Sequence, residues 1–492
     1  MQRLKMLALA AAFVLGLASA AGAATEVKMT GDAIVYGNYF ANHNFTGWNT
    51  GSWNDNSGNY TGAGTQTEDR FQIWERFRLR SDFVANEAVK FRLGVKVEDT
   101  WGHGTFTAAN PAVAISVYQA YLQFKLPDCA IEVSAGLQDL SLPATAFFTD
   151  SVVFGGDRAA ALVVNAPLIE DTLSVTAGFA RMLDANRTYD TTTTQVADEF
   201  DVYFLTLPVT VSGFKATPWG AIGVAGRDAN YFTAGSYGPN STDADGLLSA
   251  GTFLTPTGMK NSQNPYWWAG GTFEVTALDP VKFYADVIYG SGNASDRKKD
   301  RRQGWFVDLG AEYTGWDVLT PQAFAWWSTG EDKSTGNGSE RMPSILSNWG
   351  PGNSFLFDSS EELLKDGNLG VNPIGSMGIG ASLNNISFVE KLTNRLTFIY
   401  MRGNNSAKAL RFLNTYMGSN PYFTMGRDLT ENESIISLGF DTTYQIYQNL
   451  SAILETGWAH GQFQTSVWGH RLAEKSRDGD PLKIAFGLSY KF

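Results

Sequence analysis

Lys483 to Phe492 reads KIAFGLSYKF, and its alternation decides the fold. Ile484, Phe486, Leu488, Tyr490 and Phe492 fall on one side; Lys483, Ala485, Gly487, Ser489 and Lys491 fall on the other. A period of two marks a β-strand, because successive side chains point to opposite faces. One face here is apolar, the other polar or small. An edge strand of a soluble sandwich would read the same way, so the rest of the chain has to choose between settings.

The other end narrows the choice. MQRLKMLALAAAFVLGLASAAGAA has the three parts of a secretory signal: Arg3 and Lys5, an apolar run from Met6 to Leu17, and the small residues Ala21-Gly22-Ala23. We expect a signal peptide over 1–23 and one domain over 24–492. Without Arg3 and Lys5 the chain keeps 35 basic residues against 49 acidic ones, a net charge of −14, which speaks against nucleic acid as a partner. Cys129 is the only cysteine, so no disulfide lies within the chain. Beyond the leader, no run approaches the ~18 consecutive apolar residues of a membrane-crossing helix. The 51 Gly, 32 Phe, 19 Tyr and 14 Trp instead suit many turns joining half-apolar strands.

Eighteen segments carry the alternation, from 26–40, 68–84 and 88–101 to 432–448, 450–463 and 481–492. Tight links (VANEA at 84–88, Ser212-Gly213, LDP at 278–280) alternate with long polar ones (41–67, 227–264, 330–375, 403–431). That rhythm belongs to transmembrane β-barrels, with short periplasmic turns and long extracellular loops. Closing the sheet satisfies every backbone polar group within the hydrocarbon. The expected fold is an all-β, antiparallel transmembrane barrel of about 18 strands, 16 being the alternative.

The second segment holds RFQIWERFRLRSD, Arg70 to Asp82. Phe71, Ile73, Phe77 and Leu79 share one face; Arg76, Arg78 and Arg80 share the other, as do Arg92 and Lys96 in the next strand. A turn centred on Asn86 would set Arg80 opposite Arg92, Arg78 opposite Gly94 and Arg76 opposite Lys96. Like charges facing each other destabilise a ladder, and each cation on the lipid side would cost about 2–4 kcal/mol. A water-filled lumen with acidic groups nearby resolves both problems, so Arg76, Arg78, Arg80, Arg92 and Lys96 are expected to line a pore.

A chain ending at a strand with a terminal aromatic resembles the C-terminal signal of bacterial outer-membrane barrels; Tyr490 and Phe492 would form that barrel-closing signal. The segment QDLSLPATAFFTDSVVFGGDR (138–158) is too apolar for an exposed loop tip. With it the chain resembles the trimeric porins of Gram-negative outer membranes. WERFRLR, AYLQFKLPD, AGLQDLSLP and the KF ending are similar to the homotrimeric porin of sulfate-reducing, Desulfovibrio-type bacteria. The resemblance implies a third loop folded into the lumen, with acidic residues facing the arginine wall across a constriction. Asp139, Asp150 and Asp157 are the candidates, ordinary turn aspartates being the alternative for each. It also implies a homotrimer in the outer membrane, in contact with its lipids, lipopolysaccharide and assembly machinery. The activity implied is passive diffusion of small hydrophilic solutes and ions, or selective passage of organic acids or sugars.

An outer-membrane enzyme is the rival reading. It would need a nucleophile beside a base, and His43, His103, His460 and His470 neighbour no such motif. No cofactor or metal is expected; STDADG (241–246) lacks the distal glutamate of a calcium loop. A short helix is expected within 359–367. Of the pairs Trp267–Trp268 and Trp326–Trp327, one member should join an interfacial girdle while its neighbour points inward.

Overall fold

The computed structural model describes residues 26–492 apart from parts of the long connections: 43–44, 48–51, 55–58, 62–68, 103–113, 146, 149, 156, 185–198, 226–264, 294–300, 335–336, 346–348, 353, 358–368, 370 and 417–424. The expected signal peptide, the helix at 359–367, the 241–246 loop, His43 and His103 lie outside the described residues.

Eighteen strands run antiparallel around a closed sheet. They are β1 Glu26–Ala41, β2 Arg70–Asn86, β3 Val89–Thr100, β4 Ser116–Lys125, β5 Glu132–Leu140 and β6 Asp157–Ile169. Next come β7 Leu173–Asp184, β8 Glu199–Thr206 with Val209–Val211, β9 Phe214–Ala225, β10 Tyr266–Val275, β11 Val281–Asn293 and β12 Arg301–Tyr313. The ring ends with β13 Thr320–Ser328, β14 Ser376–Val389, β15 Leu392–Gly403, β16 Ser434–Tyr447, β17 Leu450–Gln462 and β18 Leu482–Lys491. β8 is interrupted at Leu207-Pro208, where proline has no N–H to give the ladder. Short connections of two to six residues alternate with longer ones of 7 to 47 residues. No helix is long and apolar enough to cross a membrane among the described residues.

Closure is explicit in the pairing. β1 runs beside β2 from Glu26↔Val84 to Phe40↔Arg70, and beside β18 from Asp32↔Lys491 to Ala41↔Leu482. Phe492 extends that seam by exchanging backbone hydrogen bonds with Gly31, at 2.9 and 3.0 Å. A Cβ on Gly31 would fall 2.5 Å from the Phe492 ring and 2.5 Å from the Arg78 carbonyl, so the seam requires glycine there.

The alternation resolves into an outside and an inside. On β18, Leu482, Ile484, Phe486, Leu488 and Tyr490 are exposed, while Lys483, Ala485 and Ser489 are buried. Phe77, Phe83 and Phe91 do the same on β2 and β3, with Arg76 turned inward and buried. Trp267 and Trp327 are exposed, and their neighbours Trp268 and Trp326 are buried. This is an inverted protein: its exposed face is the apolar one.

Two loops fill part of the interior. Within 138–158, the expected third loop, the described residues bury Leu142, Phe147, Phe148, Val152, Val153 and Phe154. The described residues of 330–375, read from the sequence as a long polar loop, also turn inward and bury Met342, Ile345, Trp349, Phe355, Leu356 and Phe357. The loops pair with each other: the Ile345 N–H donates to the Val153 carbonyl at 2.8 Å, and the Ser344 hydroxyl to the Val152 carbonyl at 2.8 Å. Trp349 stacks on Phe148 at 4.9 Å between centroids and meets Phe306 and Trp326 of the wall edge-on, at 5.6 and 5.2 Å. The inward tryptophans are thus spent on packing. A buried ion pair, Arg341 to Asp428 at 2.9 Å, ties the second loop to the connection after β15.

The register of β2 with β3 differs from the sequence expectation by two residues. Arg80 faces Gly94, Arg78 faces Lys96 and Arg76 faces Glu98, because a bulge between Val84 and Asn86 moves the turn. A shift of two keeps every side chain on its expected face. It also sets Asp82 opposite Arg92 and Glu98 opposite Arg76, leaving one like-charge pair, Arg78 with Lys96, where the expected register had two.

Candidate functional site

The inner face of β1–β3 carries the strongest concentration of charge. Asp32, on β1, stands directly opposite Arg78, with Arg76 and Arg80 two positions to either side on the same face. One carboxylate therefore serves three guanidiniums. Arg78 Nε donates to its two oxygens at 2.8 and 3.1 Å, Arg80 Nη2 at 3.4 Å and Arg76 Nη2 at 3.5 Å. Arg92 grips Asp82 with two bonds of 2.6 and 2.7 Å. Lys96 is bonded to Glu98. Charge-assisted, bidentate contacts of this kind fix guanidinium planes in place.

Side-chain exposure along the row is graded: 5% for Arg76, 26% for Arg78 and 37% for Arg80. β2 runs from the long-loop rim toward the short-turn rim, so water reaches the cluster from the short-turn side. Phe355, from the second infolded loop, closes the other side; it packs with Ile34 and Tyr36 of β1, Ile453, Ala485 and Trp74.

The sequence candidates distribute as follows. Arg76, Arg78, Arg80, Arg92 and Lys96 share the inner face of two paired strands. The acidic candidates lie elsewhere. Asp139 ends β5, where it accepts from Gln119 Nε2 at 2.6 Å and pairs with Arg158 of the next strand at 3.6 Å. Asp150 sits within the infolded loop, accepting the Ser151 N–H at 2.9 Å and the Ser141 hydroxyl. Asp157 opens β6, paired in register with Leu140. The carboxylates that meet the arginines are instead Asp32, Asp82 and Glu98, which sequence reasoning did not single out. The signal was there: Asp82 has the parity of the arginines in the very stretch that displays them, and pairing β1 with β2 brings Asp32 to the row.

The infolded loops rest on the far wall. The Thr145 N–H donates to Asp286 Oδ2 at 2.8 Å, and Asp286 stands directly opposite Asp308, both carboxyls buried. Phe147 packs on Gly310, where a Cβ would come within 2.7 Å of its ring. Trp268 Nε1 donates to the Pro343 carbonyl at 2.7 Å. At the long-loop end, Glu331 is buried and takes the Ser339 hydroxyl at 2.5 Å. Burial pushes its carboxyl up to about 7. Glu340 and Glu433 are raised for the same reason.

No protein-family profile matches the sequence, and no curated protein aligns with it. Solved structures do match in shape. The outer membrane protein OprD from Pseudomonas aeruginosa superposes with a TM-score of 0.50 at 12% identity, covering 96% of this chain and 95% of that one. Pseudomonas aeruginosa OccK3 (OpdO) gives 0.50 at 10% identity, covering 94% and 96%. At such identities the likeness is one of fold, and the fold shared over nearly the whole chain is the closed outer-membrane β-barrel.

Proposed function

We propose that the protein is a porin of a Gram-negative outer membrane, a passive diffusion channel for small hydrophilic solutes and ions. One observation carries the reading: an apolar exterior surrounds an inner face on which five cations and three carboxylates of β1–β3 gather, with Arg78 and Arg80 partly open to water. Opposed rows of fixed charge orient and sort solutes, and the infolded loops set the width. The second infolded loop favours a narrow, substrate-selective channel over a general one, with organic acids as solutes suited to a basic wall. The homotrimer, the kinship with Desulfovibrio-type porins, recognition of Tyr490 and Phe492 by the assembly machinery, and contact with lipopolysaccharide belong to the same proposal. So do eyelet roles for Asp139, Asp150 and Asp157, and the absence of catalysis.

Purified protein in a planar bilayer tests the reading. Stepwise ion conductance is expected; lipid hydrolysis without current would reverse it. Replacing Arg76, Arg78 and Arg80 together with glutamine should shift selectivity toward cations, seen in the reversal potential under a salt gradient.

A further inference from the structure

We propose that Asp32 sets the ion selectivity of this bore, as a built-in counter-ion at the centre of the arginine cluster; the proposal rests on the channel reading above. Register creates the arrangement. Asp32 faces Arg78 across the β1–β2 ladder, so the flanking arginines of the same face converge on it as well. The inner-face carboxylates of β2 and β3 are committed nearby: Asp82 to Arg92 through two short bonds, and Glu98 to Lys96 while standing opposite Arg76. Arg76, Arg78, Arg80, Lys96 and Lys491, which faces Asp32 across the β1–β18 ladder, against Asp32 and Glu98 leave an excess of three positive charges around one tethered carboxylate.

That stoichiometry has a transport consequence. A bare row of guanidiniums in a narrow bore holds an anion so strongly that it leaves slowly, and conduction requires binding weak enough for release. Asp32 occupies the donors that an incoming anion would use, through the same charge-assisted bonds. Arg80, the most exposed of the three, offers the passing anion its first donor, with Asp32 behind it as the competitor. Phe355 caps the buried side, so the exchange takes place toward the short-turn rim. Asp32 thereby fixes how far the wall prefers anions and how briefly it keeps them.

The test uses the full-length protein in planar bilayers under a potassium chloride gradient. The excess charge falls from three to two in Arg80→Gln and rises to four in Asp32→Asn; the double variant returns it to three. Asp32→Asn should raise the chloride-to-potassium permeability ratio by roughly threefold to tenfold, as one unit charge at the wall of a screened aqueous bore would do. Arg80→Gln should lower it by a similar factor, and the double variant should fall back near the parent. A carboxylate needed only to hold two strands together would not be rescued by deleting an arginine. An unchanged reversal potential in conducting Asp32→Asn, or a double variant that stays with either single one, overturns the proposal. Should Asp32→Asn yield no heat-modifiable barrel, Arg80→Gln decides alone, and an unmoved ratio sinks the idea. A parent protein that passes no current fails the channel reading itself, a separate result.

Discussion

Lys483 Nζ stands 4.0 Å from the centroid of the Phe355 ring and 3.5 Å from the Phe355 carbonyl oxygen. The last strand of the barrel thus holds the tip of a loop that enters from between β13 and β14. A desolvated cation over an aromatic face contributes about 2 kcal/mol, and the ring is buried besides. The loop spans the bore from the wall at Trp326 to the wall at Lys483.

Phe355→Ala should release that span. Removing a buried phenylalanine costs about 3–5 kcal/mol in the packing it supports. The barrel, held by its ladder, should still form, so the loss should appear as larger and noisier single-channel conductance. Conductance identical to the parent would mean that this loop does not narrow the path.

Gly31→Val should damage closure. A branched side chain at a position where even a Cβ meets the Phe492 ring and the Arg78 carbonyl at 2.5 Å has no room on either side. Overpacking of this kind costs about 1–3 kcal/mol. The expected readout is a lower temperature for the loss of the compact band in heat-modifiability gels. Gly37→Val on the same strand is the comparison, since its neighbour, the Phe71 ring, lies at 3.4 Å.

Docking of residues 329–345 should weaken with rising pH. Burial raises the Glu331 carboxyl to about 7 from an ordinary 4.5, so the docked loop holds this proton more tightly than a free loop does. The contribution is fully present below about 4.5 and lost as pH rises through about 7. Its ceiling is on the order of 3 kcal/mol. Amide protection in this loop, corrected for the intrinsic base-catalysed exchange rate, should be weaker at pH 8 than at pH 5, and Glu331→Gln should flatten the difference. A loop equally protected at both values would contradict the assignment.

Strands were legible because a barrel wall repeats one local rule eighteen times, and each strand states it independently. Register was not, since the bulge between Val84 and Asn86 depends on how a turn relaxes, and alternation alone cannot distinguish a shift of two. The partners of the arginines escaped for a related reason: Asp32 lies over forty residues away and reaches the row only through the β1–β2 pairing. The inward course of the described part of 330–375 could have been read. Met342, Ile345, Trp349, Phe355, Leu356 and Phe357 are as dense as the apolar residues that marked 138–158, but their spread over a longer polar segment diluted the signal.

Cys129 is a free, exposed thiol in the tight turn between β4 and β5. Nature has therefore left a single chemical handle on one mouth of the ring. A maleimide too bulky to enter the bore, added to one side of an oriented proteoliposome, would report which way each molecule was inserted. Any measured rectification could then be assigned a direction without engineering the protein first.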